Sequence, residues 1–225
     1  YGIYLTGSSK AEIIGNQIKN NTEKGITLHG EAVEGKITNN TISENNRDGI
    51  SINELAKAHI INNTIFKNIE FGISLNQCGS SNPAAMILNN IITNTSKMNG
   101  ANGFGIGGNC LHEGDKLSND AIAFNLIWGN EGENTDCQNK ELCNFMGKIS
   151  ADPLFVNPEQ GDFHLLPNSP AIDAGEPTCL DYNGSRCDLG AYGGNGCLLD
   201  PQLPDCPSPT PRSFTCQQGD LNQDG

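Results

Sequence analysis

The chain has 225 residues, room for one extended domain and a small appendage, and a formal net charge of −13. That charge argues against nucleic acid as the main partner, because phosphate binding needs a basic surface, and no apolar run is long enough for membrane insertion. Nine cysteines, eight of them after residue 100 and none in a CxxC pair, point to a disulfide-permissive, secreted or cell-surface location.

The first element is a repeat. Gly2, Gly25, Gly49, Gly72 and Gly105 each precede an isoleucine, at spacings of 23, 24, 23 and 33. Aligned on these pairs, three columns are pure isoleucine: Ile3, Ile26, Ile50, Ile73, Ile106; then Ile13, Ile37, Ile60, Ile87, Ile122; then Ile18, Ile42, Ile65, Ile92, Ile127. A fourth column is pure asparagine: Asn16, Asn40, Asn63, Asn90, Asn125. Helical spacing is absent. Each unit has three short β-branched patches separated by Gly, Asn, Ser and Thr, which predicts three short strands per unit. One unit cannot bury its isoleucines alone, so the units must stack, roughly 4.8 Å apart, like on like. The asparagines then predict an inward turn whose stacked amides bond each other and the backbone.

This pattern, typified by "GIYLTGSSKAEIIGNQIKNN", resembles the right-handed parallel β-helix proteins, the pectate-lyase-like group with its short β-helix repeats. The repeat style is similar to periplasmic copper-processing and surface β-helix proteins of bacteria and archaea. The resemblance covers residues 1 to about 175. It implies an all-β, single-stranded, right-handed parallel β-helix of five to six coils with a C-terminal cap. The fold hosts lyases, hydrolases, epimerases, adhesins and accessory proteins, so it does not by itself fix an activity.

Extra residues enter after Ile73, Ile92 and Ile106 and predict loops on one face. Cys78 and Cys110 occupy equivalent loops of neighbouring coils and are expected to pair; bridged Cα atoms lie roughly 4.4–6.8 Å apart, within reach of stacked coils. Cys137–Cys143 and Cys179–Cys187 read as local clips, and Cys197–Cys206 as a further pair. Residues 151–175, "ADPLFVNPEQGDFHLLPNSPAIDAG", resemble the terminal segment of secreted bacterial β-helix proteins, as does "NLIWGN", and are expected to close the open core. Residues 176–215 form a Cys-, Gly- and Pro-rich tail and linker.

The final segment, 216–225, contains "GDLNQDG". Asp220, Asn222, Asp224 and Gly225 match positions 1, 3, 5 and 6 of an EF-hand calcium loop. The wording resembles the start of a type I dockerin, which implies calcium as a cofactor and a cohesin-type scaffold as a partner. The chain begins inside a repeat and stops before the loop's remaining ligands, so it reads as a piece of a longer protein.

In the families it resembles, the binding groove follows the strand that here starts with Gly-Ile. Alternation points Ile3 and Leu5 inwards and Tyr4 and Thr6 outwards. The outward rows are Tyr4, Thr27, Ser51, Ser74, and Thr6, His29, Asn53, Asn76, a polar stripe suited to a sugar polymer or simply to solvent. The candidate catalytic groups are His29, Arg47, Asp48 and Glu54, with Glu31 and Lys57 nearby. Asp48 and Glu54 would have to approach across the strand, since an inverting hydrolase needs carboxylates roughly 6.5–9.5 Å apart. No lyase or hydrolase motif of the family matches any position. His112, Glu113 and Asp115 form a small potential metal-ligand run or a solvated loop. His59 and His164 read as structural strand positions, and Trp128 as packing near the cap. Of the sequons at Asn20, Asn39, Asn62, Asn94 and Asn183, those at Asn39 and Asn62 are by-products of the repeated "NNT" turn, and the set is read as chance. Three readings of function follow. One is an extracellular β-helix that binds or processes polysaccharide, possible enzyme types being lyase, hydrolase or epimerase, with a scaffold tether. The second is a non-catalytic surface or adhesion spacer. The third is a metal-delivery accessory, disfavoured by the scarcity of Met, His and Cys on the coils.

Overall fold

The computed structural model describes residues 1–76, 85–98, 103–108, 122–132, 135, 145–180 and 184–194. Five coils follow one another, each of three strands. The first holds β1 (Ile3–Thr6), β2 (Lys10–Ile14) and β3 (Gln17–Lys19). The second holds β4 (Ile26–His29), β5 (Glu34–Thr38) and β6 (Thr41–Ser43). The third holds β7 (Ile50–Asn53), β8 (Lys57–Ile61) and β9 (Thr64–Phe66). The fourth holds β10 (Phe71–Asn76), β11 (Ala85–Leu88) and β12 (Ile91–Thr93), and the fifth β13 (Phe104–Gly107), β14 (Ile122–Ala123) and β15 (Leu126–Trp128). Equivalent strands pair in parallel, giving three five-stranded sheets.

The register is the one the repeat predicts. Ile26 pairs with Ile3 and Ile50, Ile37 with Ile13 and Ile60, and Ile92 with Ile65 and Ile127. These columns are the core: Ile26, Ile37, Ile42, Ile50, Ile60, Ile65, Ile73 and Ile87 are fully buried. Leu28, Ile52 and Leu75 form a further inward row, facing the smaller Gly35, Ala58 and Ala85. A Cβ on Gly35 would come within 2.5 Å of Leu28 Cδ2, so the small residues are what admit the leucine row.

The asparagine column is the predicted ladder. The Nδ2 atoms of Asn16, Asn40, Asn63 and Asn90 each lie 3.0–3.1 Å from the Oδ1 of the next asparagine, ending on Asn125. Each buried amide also donates to a carbonyl of the coil behind. The preceding residues, Asn39, Asn62, Asn89 and Phe124, have φ between 50° and 56°. Asparagine tolerates this left-handed conformation better than most residues. "Asn-Asn" is thus a turn residue followed by a ladder residue, and the sequons at Asn39 and Asn62 arise from it.

A second ladder occupies the corner before each glycine. Asn21 donates to Asn45 and Asn45 to Asn68, both at 2.8 Å; Thr95 then replaces asparagine, and its N–H donates to Asn130 Oδ1. This corner explains the glycine column. A Cβ on Gly25 would meet Gly49 O at 2.6 Å, Ile42 Cγ2 at 2.8 Å and Asn45 Nδ2 at 2.9 Å.

At the far end of the core, where the closure is expected, Thr135 and residues 145–149 stack on the fifth coil. Thr135 bridges to Ile106, Met146 O accepts from Phe124 N–H, Ile149 bridges to Leu126, and Phe145 enters the core cluster. Residues 151–175, expected to perform that closure, instead pack along the side of the solenoid. The reason is an apolar outer face on the third sheet: Phe66, Ile91 and Leu126 point outwards there and are covered by Phe155, Phe163, Ala171 and Leu189. The covering strap holds a hairpin of β16 (Phe155–Asn157) and β17 (Asp162–Leu165), and Lys67 pairs with Glu159 at 2.6 Å. It then descends over the left-handed asparagines. Glu176 N–H donates to Asn89 Oδ1, Asn62 Nδ2 to Asp188 O, and Asn39 Nδ2 to Ala191 O and Gly193 O. Cys179 and Cys187 are disulfide-bonded within the strap, Cα atoms 5.4 Å apart, as the local clip requires. Trp128 is partly buried against the same cluster. Among the described residues no helix is long and apolar enough to cross a membrane. Cys78, Cys110, Cys137, Cys143, Cys197 and Cys206, the His112–Glu113–Asp115 run, Asn183 and the linker lie outside the described residues, as do Asp220, Asn222 and Asp224.

Candidate functional site

The outer face of the first sheet carries the predicted rows in the predicted register: Tyr4, Thr27, Ser51 and Ser74 in one, and Thr6, His29, Asn53 and Asn76 in the next. Their exposure differs from the expectation. Thr27, Ser51 and Ser74 are buried, at most 2% exposed. Ser51 and Ser74 belong to a polar network rather than an open stripe. Lys24 reaches into the next coil, its Nζ 2.8 Å from Asp48 Oδ2 and 2.9 Å from Ser51 Oγ. Ser74 Oγ donates to Asp48 Oδ2 at 2.7 Å, and the Ser51 and Ser74 hydroxyls are 2.9 Å apart. Asn76 Nδ2 donates to Asn53 Oδ1 at 3.2 Å. Asp48 Oδ1 and Thr27 Oγ1 are buried with no hydrogen-bond partner among the described residues, so one carboxylate oxygen and one hydroxyl of this face are left unsatisfied.

The four candidate catalytic groups separate into three places. Asp48 is held by Lys24. His29 Nε2 lies 3.2 Å from Glu54 on the exposed surface. Arg47 turns away, to Glu23 at 3.2 Å and Glu70 at 3.1 Å. Asp48 and Glu54 sit at opposite ends of β7, six residues of mostly extended chain at roughly 3.3 Å each. They are not brought to the spacing a two-carboxylate hydrolase uses.

What remains open is the aromatic end of the face. Tyr4 is 45% exposed, and its ring stacks on His29 with centroids 6.2 Å apart and planes 26° apart. Tyr1 joins at 5.1 Å. Asn53 and the His29–Glu54 pair border this platform.

Sequence reasoning missed a second feature, on the second sheet. A groove of about 460 Å³ crosses the outer face of β2, β5 and β8, floored by Ala11, Gly35 and Ala58. One rim is Lys10, Glu34 and Lys57, and the other is Glu12, Lys36 and His59, each stacked in register. Lys10 bonds Glu34 at 2.7 Å and Lys36 bonds Glu12 at 2.6 Å; Lys57 stands 3.8 Å from Glu34. The hydrogen bond from Lys10, with its charge and that of Lys57 behind it, holds the Glu34 carboxyl below the usual range. The alternation of charge along "KAE", "EGK" and "KAH" was the available signal. His59, read as structural, faces solvent on this rim. His164 is also exposed; it bonds Asp162 at 2.6 Å and stacks on Tyr192 at 4.0 Å. Among the described residues no three of His, Cys, Asp and Glu gather as a metal-binding group.

Three parallel sheets wound around one isoleucine core, with a ladder at the turn, define a parallel β-solenoid. A family model described as a right handed beta helix region matches residues 1–140, and the chain belongs to that family, which also gives the winding its hand. No curated protein and no solved structure matches the chain.

Proposed function

We propose that this is an extracytoplasmic β-helix protein that binds polysaccharide across the outer face of its first sheet. The observation that carries the reading is the exposed Tyr4–His29 stack bordered by Asn53 and Glu54. Flat aromatic faces pack on the apolar faces of sugar rings, while amides and carboxylates bond hydroxyls at their edges. Binding is favoured over processing, since Asp48 is committed to a buried ion pair and stands far from Glu54. The extracytoplasmic setting is supported by the cysteine content and the Cys179–Cys187 bridge. In the same reading, Asp220, Asn222 and Asp224 begin a calcium loop that tethers the protein to a cohesin-type scaffold.

A second reading has its own observation. Two asparagine ladders run through the coils and stiffen the rod, which suits a non-catalytic spacer. The test is an array of linear glycans probed with the full chain and with Tyr4→Ala and His29→Ala. Binding to a defined glycan, weakened about tenfold or more in each variant, supports the first reading; the factor matches about 1.4 kcal/mol of lost contact. A blank array, or binding indifferent to both variants, overturns it and leaves the spacer.

A further inference from the structure

We infer that the groove on the second sheet is a separate binding site for an acidic saccharide, one whose sugar rings carry carboxylate or sulfate. The argument starts from how the groove is made. The positions of β2, β5 and β8 between the rims are Ala11, Gly35 and Ala58, which turn inwards, so their backbone forms its floor. The outward positions on either side are all charged or titratable, and they project from strands that register locks in place. The result is a trough along the solenoid axis, spanning three coils at roughly 4.8 Å each.

The charges on its rims are arranged, not merely present. In the first two coils each rim charge faces its opposite: Lys10 beside Glu12, then Glu34 beside Lys36. Along the rims the signs also alternate, and the short bonds Lys10–Glu34 and Lys36–Glu12 satisfy those four groups. The third coil breaks the pattern. Lys57 and His59 stand side by side with no acid between them, two residues apart on one strand face, roughly 7 Å. Lys57 is 59% exposed, and its nearest carboxylate among the described residues, Glu34 at 3.8 Å, is already bonded to Lys10. The groove therefore carries three lysines against two glutamates, a net +1 (3 − 2), on a chain whose total is −13.

This arrangement fits a ligand whose anionic groups are spaced between hydroxyls. The anion sits between Lys57 and His59, neighbouring outward positions on one strand face. The hydroxyls of neighbouring rings donate to the Glu12 and Glu34 carboxylates, and Lys10 holds the Glu34 carboxyl below its usual range. A uniformly acidic peptide fits less well, because those two carboxylates would repel it along the rest of the trough. The site is distinct from the aromatic platform on the first sheet and does not depend on it.

The experiment is calorimetric titration of the full chain with four probes: chondroitin 4-sulfate tetrasaccharide, its desulfated form, cellotetraose and hexaglutamate. Each is repeated with Lys57→Glu, His59→Glu and Tyr4→Ala, and with either of the first two combined with Tyr4→Ala, after thermal melts show that the variants fold. Should Lys57→Glu not fold, Lys57→Gln takes its place. The expected result is binding of the acidic tetrasaccharides that weakens with added salt. It should fall about tenfold or more in Lys57→Glu and His59→Glu, the loss of one hydrogen bond to a charged group, and by the same factor when either is combined with Tyr4→Ala. Comparing the sulfated and desulfated probes tells whether sulfate or carboxylate is the anion held. The inference is overturned by any of three results: no binding of either acidic sugar, binding unchanged in Lys57→Glu, or hexaglutamate binding as tightly as the sugars. Loss in Tyr4→Ala without loss in Lys57→Glu also overturns it, and transfers the ligand to the first sheet.

Discussion

Asn63 is bonded to the coils on both sides of its own: its Nδ2 lies 3.0 Å from Asn90 Oδ1 and 2.8 Å from Ile37 O. Its Oδ1 in turn accepts from the N–H and Nδ2 of Asn40. The residue is fully buried, so no water replaces these partners. Asn63→Ala leaves the buried Asn40 N–H without its acceptor, at about 1–3 kcal/mol, and takes one bond each from Asn40 Nδ2, Ile37 O and Asn90 Oδ1. The expected loss is about 3 kcal/mol or more, read as a drop in the urea midpoint. Asn63→Asp keeps the acceptor, removes the donor and buries a charge. It should be at least as damaging at pH 7 and milder at pH 4, where the carboxyl can protonate.

The glycine column separates crowding from backbone strain. At Gly49 a Cβ would meet Gly72 O at 2.7 Å, Ile65 Cγ2 at 2.8 Å and Asn68 Nδ2 at 2.9 Å. None of these can retreat without disturbing the core or the second ladder, and overpacking costs about 1–3 kcal/mol or more. At Gly7 nothing lies within 4 Å, but φ is +72°. Gly7→Ala should therefore cost only the left-handed penalty, about 1–2 kcal/mol. Thermal unfolding of the two variants is expected to rank Gly49→Ala as the less stable.

The core was legible because identical residues recur at fixed spacing and stacking puts like on like. Ile3, Ile13, Ile18 and Asn16 each announced a column, and the register follows them. The second ladder was harder to read because Thr95 interrupts Asn21, Asn45, Asn68 and Asn130. The strap was misread for a different reason. Its partners are Phe66, Ile91 and Leu126, outward residues that do not repeat in type, so nothing in the period marks that face as apolar. Strand parity correctly set Thr27, Ser51 and Ser74 outwards but could not show that Lys24 and Asp48 would fold over them.

The strap should loosen at both extremes of pH. The hydrogen bonds from His164 lower the Asp162 carboxyl, so its contribution is present above the unfolded value of about 3.9 and is lost as pH falls below it. Burial, and then the Asp162 charge, raise the Tyr192 hydroxyl above its ordinary value. Its contribution is complete below about pH 10 and is lost as pH rises past that point. Asp162 is 41% exposed, so the acid effect is a surface pair of about 0–1 kcal/mol. Hydrogen exchange of the amides around Phe66 and Ile91 reports the opening. Asp162→Asn should flatten the acid limb and Tyr192→Phe the alkaline one.

The Lys24–Asp48 pair tests whether the buried network on the first sheet is an asset or a constraint. The Asp48 side chain is 3% exposed and that of Lys24 19%, their charged atoms 2.8 Å apart. Removing one partner strands the other. Lys24→Met leaves the carboxylate with only Ser74 as a described donor, and breaking such a pair costs about 3–5 kcal/mol. Replacing both is a different matter, because the desolvation of two charges disappears together with their attraction. The double variant Lys24→Met, Asp48→Leu is expected to lie within about 1 kcal/mol of the parent, or above it. Ser51 and Ser74 would keep their mutual bond at 2.9 Å. Chemical denaturation of the parent, both single variants and the double variant closes the cycle. A double variant as unstable as the sum of the singles would show that the network contributes through its hydrogen bonds to the serines rather than through the ion pair.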